Sequence, residues 1–346
     1  MSINLPLLKE LCEVPGAPGR EERIREVVIR ELKGLCDEVR VDAIGNVIGV
    51  KKGSVGGRFM MAGHMDEIGF MVSHIGKNGF LHFVTLGGFD PKTLTAQRVI
   101  VHGREDLIGV MGSKPIHIMT DEEKKKPLKV EDFYIDVGLP EEKVKELMRV
   151  GDTVTRERSI IEMGETINGK SMDDRVGVFC MIEALRQAGS GKMDVYAVAS
   201  VQEEVGLRGA QVATQNIDPH VGVALDVTLA NDVPFTQPHQ YITELGKGTA
   251  IKAFDASVIP NHKLVDFMRE LCEARKIPWQ LEVLPKGGTD TAAMQRFGKG
   301  SAAGCISVPV RYVHSVIETL HPADVQASID LLAALIGECE QDQFDL

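Results

Sequence analysis

At 346 residues and 43% hydrophobic side chains, the chain can bury a substantial core, enough for two domains or for one domain with a large insertion. Its 50 acidic and 39 basic residues leave a net charge of −11, which argues against electrostatic binding to nucleic acid or to an anionic membrane. No run approaches the roughly 18 apolar residues of a membrane span, and Met1 to Glu10 lacks the basic and apolar regions of a signal peptide, so a cytoplasmic protein is expected.

The spacing of Ile24, Val27, Val28, Leu32 and Leu35 predicts an amphipathic helix over Glu21 to Cys36, with Gly34 near its end. Short strands are expected at Glu38 to Ala43 and Val47 to Val50, joined through Gly45-Asn46, and at Arg58 to Ala62, which delivers G-H-M-D-E-I-G at Gly63 to Gly69. From there to about Glu162 the pattern changes to short β-like pieces punctuated by glycine: Gly69 to Ile75, Gly79 to Leu86, Arg98 to His102, Leu107 to Met111 and Phe133 to Val137. These predict a small all-β insert with one short helix near Glu141 to Met148 and a solvated loop over Asp121 to Lys129.

After Gly169 an α/β alternation resumes. Helices are predicted at Asp173 to Ala188, Leu207 to Ala213, Asn261 to Arg275 and Pro322 to Cys339. Strands are predicted at Asp194 to Val201, Val221 to Leu225, Trp279 to Leu284 and Ala303 to Val310. Near-continuous apolar strands of this kind suit parallel strands covered on both faces. The fold expected is α/β, a mixed and largely parallel sheet flanked by helices, with residues 1–67 and 163–346 forming one domain and 68–162 the β-rich insert. Cys12, Cys36, Cys180, Cys272, Cys305 and Cys339 are scattered without a C-x-x-C pair, which favours buried thiols over disulfides or a zinc knot.

Five places put a metal-competent side chain at the edge of a predicted strand or the start of a helix: His64, Asp173-Asp174, Glu203-Glu204, Asp226 and His314. Ligands of open α/β sheets bind beyond the carboxyl ends of strands. Two charged side chains such as Glu203 and Glu204 at such an end are costly unless solvated, paired or bound to metal. If strand geometry continues through them, they point to opposite faces and do different jobs. Imidazole and carboxylate suit zinc, cobalt or manganese, and two histidines with bridging and terminal carboxylates make a two-metal site. Each residue alone reads more often as a satisfied structural group.

Taken together, His64-Met65-Asp66, Asp173-Asp174-Arg175, Glu203-Glu204-Val205-Gly206, Leu225-Asp226 and His314 resemble, in order and spacing, the tetrahedral metallo-aminopeptidases, and the resemblance covers nearly the whole chain. It implies a fold of the zinc-exopeptidase type and two divalent metal ions per subunit, zinc or cobalt. It implies that His64 and Asp226 face opposite metals, that Asp173 bridges, often through a cis peptide to its neighbour, and that Glu204 and His314 complete the two sets. Asp66 would accept from the free nitrogen of His64, and Glu203 would be the general base toward a metal-bridged water. The substrates implied are short peptides, trimmed from the amino terminus. The insert would mediate dimerisation, and dimers would build a hollow tetrahedral dodecamer. Gly287-Gly288-Thr289-Asp290 resembles a loop near the cleft, and reads equally as a glycine turn before a helix. Two rival readings remain. One is a glycoside hydrolase, which needs two carboxyls flanking one bond from separate elements, whereas Glu203 and Glu204 are neighbours. The other is a non-catalytic metal-binding assembly protein, which predicts closed coordination.

Overall fold

The computed structural model describes residues 3–346. Two helices open it, α1 (Leu5–Glu13) and α2 (Glu22–Leu32). The first was not predicted, because nine residues give its Leu7, Leu8, Leu11 and Cys12 face too few turns to stand out. The second stops at Leu32, four residues before the expected end. Strands β1 (Glu38–Val41), β2 (Val47–Lys51) and β3 (Arg58–His64) follow.

The next six strands are β4 (Gly69–Ile75), β5 (Leu81–Leu86), β6 (Arg98–His102), β7 (Asp106–Ser113), β8 (Phe133–Asp136) and β9 (Thr153–Arg156). They close into an antiparallel barrel in the order β4-β5-β8-β7-β6-β9. Its own core of Phe70, Phe83, Val99, Val101, Ile135 and Val154 is separate from that of the rest. β9 closes the barrel but was not predicted, since Thr-Val-Thr-Arg is too short for alternation to show. Residues 121–129, expected as a plain loop, contain the short helix α3 (Asp121–Lys125), capped reciprocally by Thr120 and Glu123. A further helix, α4 (Glu141–Leu147), precedes β9.

Past the barrel the chain returns through β10 (Ile161–Met163) and β11 (Thr166–Gly169), both already part of the main sheet, to helix α5 (Met172–Gln187). There follow β12 (Asp194–Ser200), α6 (Arg208–Ile217), β13 (Val221–Leu229), β14 (Thr249–Phe254) and α7 (His262–Arg275). The last elements are β15 (Trp279–Val283), α8 (Thr291–Arg296), β16 (Ala302–Arg311), β17 (Glu318–Leu320) and α9 (Pro322–Glu338). The main sheet runs β1-β2-β12-β3-β13-β16-β17-β11-β10, with β14 on β16 and β15 on β14. Its middle four strands, β12, β3, β13 and β16, are mutually parallel, and the others pair antiparallel apart from β14 with β15. The fold is therefore the mixed α/β class expected, carrying a small closed β insert.

Both faces of the parallel strands are covered. Phe59, Val223 and Ile306 meet Phe179 of α5 and Leu332 of α9 on one side, while Met60, Ala224 and Cys305 meet Met294 of α8 and Ala213 of α6 on the other. Each large apolar side chain so buried stabilises the fold by about 1.5–3 kcal/mol. α5 crosses β3 closely enough that a Cβ on Gly63 would lie 2.9 Å from the Val178 nitrogen, so glycine there lets the helix start sit against the strand end. All six cysteines are free thiols, five of them buried. Among the described residues no helix is long and apolar enough to cross a membrane.

Candidate metal centre

Four parallel strands point their carboxyl ends the same way, and the charged residues gather there. His64 is the last residue of β3, paired in register with Ser200, the last of β12. Glu203 and Glu204 lie past that strand end, in a turn that begins with Gln202 at φ 54°. Strand alternation therefore does not separate their side chains as expected; the turn does. Asp226 sits inside β13, which continues to Leu229 instead of ending at Leu225. Asp173 belongs to the irregular start of α5 and is joined to Asp174 by a cis peptide. His314 follows β16 in the left-handed conformation, φ 63°.

The Asp173 carboxylate reaches both imidazoles, with Oδ1 at 3.0 Å from His64 Nε2 and Oδ2 at 3.2 Å from His314 Nε2. Glu204 Oε1 is 3.4 Å from His314 Nε2, and Glu203 Oε2 is 3.8 Å from His64 Nε2. Donor atoms of His64, Asp173 and Glu204 lie within 4.8 Å of one another, and so do those of His64, Asp174 and Asp226. The second grouping names Asp174 where Asp173 was expected. Both Asp174 oxygens, however, accept backbone N–H groups, from His64 at 3.1 Å and Gly177 at 3.0 Å. Asp173, not Asp174, lines the cavity of about 640 Å³ over the strand ends.

Charge in this cavity is unbalanced. Burial, reinforced by neighbouring carboxylates, pushes the carboxyls of Glu203 and Asp226 well above their usual range and raises that of Glu204. Burial opposes ionisation of Asp173 too, but its hydrogen bonds with the two imidazoles hold it below the usual value. Burial works against a charged His314, yet Asp173 and Glu204 outweigh it and bring the imidazole up to about 11. The donor set fits divalent cations. His64 Nδ1 lies 3.1 Å from the Asp66 carbonyl; a proton placed on Nδ1 leaves the Nε2 lone pair facing Asp173, an arrangement that needs a positive charge between them. Glu204 Oε1 is buried with no aligned hydrogen bond, as an oxygen reserved for a cation would be.

Asp66 is placed differently from the expected arrangement. Its carbonyl is nearer to His64 Nδ1 than its carboxylate, which stands 3.5 Å away. The carboxylate instead accepts the backbone N–H of Glu203 at 3.0 Å and of Glu204 at 3.2 Å. Gly287, Gly288 and Thr289 line the cavity, while Asp290 accepts from Ser200 Oγ at 2.5 Å behind it. Sequence reasoning missed several supporting groups. Glu67 is fully buried and holds Lys170 Nζ and Ser171 Oγ, each at 2.7 Å. Glu318 accepts the backbone N–H of His314 at 2.8 Å and of Asp173 at 3.2 Å. Glu67 adjoins a motif residue and could have been suspected; nothing in the sequence around Glu318 marks it. The insert, which holds none of the five expected ligand positions, lends Gly88, Phe89 and Asp90 to the cavity wall.

The whole chain has relatives. It is 38% identical to a lysyl aminopeptidase of Pyrococcus furiosus over 99% of both chains. Its fold superposes on a TET aminopeptidase from a marine-sediment thaumarchaeon with a TM-score of 0.95, at 37% identity over 99% of this chain and 98% of that one. A Pyrococcus horikoshii peptidase described as assembling into a tetrahedron or a large octahedral shell matches with a TM-score of 0.87, at 34% identity over 97% of this chain and 99% of that one. Residues 45–331 match the model of the M42 glutamyl aminopeptidases, so the chain belongs to that family of peptide hydrolases.

Proposed function

We propose that the protein is a metal-dependent aminopeptidase that removes amino-terminal residues from short peptides. The observation that carries this reading is the single Asp173 carboxylate spanning His64 and His314, with Glu203 and Glu204 beside the two imidazoles. Asp173 would bridge two divalent ions, zinc or cobalt; the donor atoms of His64 and Asp226 fall in one group, so, in place of the opposite metals expected for them, these two would serve one ion together and Glu204 and His314 the other. Such ions would supply Lewis acidity toward the scissile carbonyl and bring the pKa of water down toward neutrality.

Glu203 is the proton carrier. It lies in the cavity wall, its carboxyl raised by burial and by Asp226 and Glu204, so it is a strong enough base to accept a proton from the attacking water and an adequate acid to return it to the leaving amine. Asp66 holds both glutamates by their backbone and so separates their tasks. The cavity carboxylates would also receive the free α-ammonium of the substrate, which accounts for trimming from one end. The adjacency of Glu203 and Glu204, and the two imidazoles, leave a glycosidase without a use for half the site.

Residues 68–162 are proposed to mediate self-association into dimers and then a tetrahedral dodecamer. The outer face of the barrel supports this, with Ile108 and Val110 of β7 57% and 47% exposed. The test of the activity is a panel of aminoacyl substrates given to metal-free protein after zinc, cobalt or manganese is added singly. Metal-dependent release of the first residue is expected; release that is equal with and without metal would overturn the reading.

A further inference from the structure

We infer that Glu318 is a positioning residue for the metal centre, fixing the two backbones that carry Asp173 and His314. This rests on the reading of those two residues as metal ligands. Glu318 opens β17 and is 1% exposed. One of its oxygens takes the N–H of His314 and the other the N–H of Asp173, so a single rigid carboxylate sets the separation of two segments far apart in the chain. Both segments need holding. Ser171 before Asp173, and Tyr312 and His314 after β16, have φ of 57°, 61° and 63°, values that non-glycine residues keep only when their surroundings impose them.

Asp66 does the same for the other pair, its two oxygens accepting from Glu203 and Glu204. Two buried carboxylates thus hold the backbones of four cavity-lining residues. Glu318 does not line the cavity, and each of its oxygens already accepts an N–H, so its effect passes through the residues it holds. Burial, with the neighbouring Asp173 charge, pushes the Glu318 carboxyl up to about 7, and a buried guanidinium only partly opposes this. The guanidinium of Arg156, at the end of β9 and 2% exposed, has Glu318 as its leading electrostatic partner. Nε and Nη1 of that guanidinium make no hydrogen bond, and it lies 5.5 Å from the centroid of the cavity residue Phe89. The barrel therefore places a buried positive charge beneath a site to which it gives no ligand.

The experiment is titration of metal-free protein with Zn²⁺ or Mn²⁺ by calorimetry, with kcat and KM measured on the loaded enzyme. In E318Q the amide offers one acceptor and turns an N–H₂ donor toward the second backbone N–H. Metal affinity should fall about 10–100-fold, as for other groups that orient metal ligands, with kcat lowered more than KM is raised. The control is T319V in the same strand, which loses the 2.8 Å bond from Asn168 Nδ2; it should lower the melting temperature and leave metal affinity unchanged. Should E318Q not fold, E318D, which keeps the charge but shortens its reach, carries the same expectation. Wild-type affinity in the folded Glu318 variant, or an equal loss of affinity in T319V, would overturn the inference. A wild-type protein that takes up no divalent ion would instead remove the ligand reading itself, and the inference with it.

Discussion

The carboxyl edge of the main sheet and the barrel are both built from short apolar strands around a closed core, yet one gathers a dense cluster of buried charge and the other little. In the main sheet, four parallel strands end on the same side, and the loops leaving them must part to reach helices on opposite faces. The gap so formed is deep enough to bury His64, Asp173 and Asp226 and still admit a ligand. In the barrel, antiparallel neighbours are closed on themselves, every strand finds two partners, and the hollow beside Gly103, Met148 and Asp152 at one end, about 260 Å³, is much smaller than the cavity over the main sheet. What the barrel has left to offer is its outside, where Ile108 and Val110 face solvent, and two buried charges, Asp152 and Arg156. On the proposed function, chemistry falls to the first region and contact to the second.

The sharpest break of that division lies within the catalytic edge. Glu203→Gln keeps size and polarity but would remove the proposed base, so turnover should collapse within about 10²–10⁴, toward the upper end for a group that acts in both proton transfers, while the proposed metals stay bound. Glu204→Ala should lose metal together with activity. Metal content by mass spectrometry beside single-turnover rates decides between them; if Glu203→Gln loses metal and Glu204→Ala keeps it, the two roles are exchanged.

On the barrel the expected effect is on assembly. Replacing Ile108 and Val110 together by aspartate should cost about 2 kcal/mol or more at an interface core, yet change the stability of the isolated subunit by no more than about 0.5 kcal/mol, as for most surface substitutions. Sedimentation should then show smaller species than wild type at the same concentration. An unchanged assembly would place the contact surface elsewhere.

The smallest effect is at the seam between the two regions. Arg23 of α2 grips Asp106 of β7 through both oxygens, and that hydrogen bonding, aided by His102 and opposed by slight burial, holds the Asp106 carboxyl below its usual range. A depressed value in the folded state contributes stability that is present above the ordinary carboxylate pKa of about 4 and is lost as pH falls through the lower folded value. Asp106 is 36% exposed, so screening limits the pair to under about 1 kcal/mol. Arg23→Ala should therefore lower stability slightly at pH 7, and the difference from wild type should shrink as the pH is lowered through the carboxylate range. A difference that persists below pH 2 would mean that Arg23 acts by packing alone.

The sequence by itself determined the alternation of strand and helix around the insert, and which residue types had the chemistry for a metal site. Long apolar runs such as Val221 to Leu225 declare buried strands, because only covering both faces can satisfy them. It could not show where β13 stops, since Asp226 looks like an end until the cavity beside it accounts for a carboxylate within a strand. Nor could it show β9, β10, β11 or β17, whose three or four residues are too few for a period of two to register. The tertiary structure alone decided which of two adjacent aspartates faces the cavity, because that depends on Gly177 and His64 offering their N–H groups to Asp174. It alone assigned Asp66 and Glu318 to backbone N–H groups, from Glu203 and Glu204 and from Asp173 and His314. A hydrogen bond to backbone asks nothing of the side chain at the other end, so it leaves no mark in the pattern of residue types.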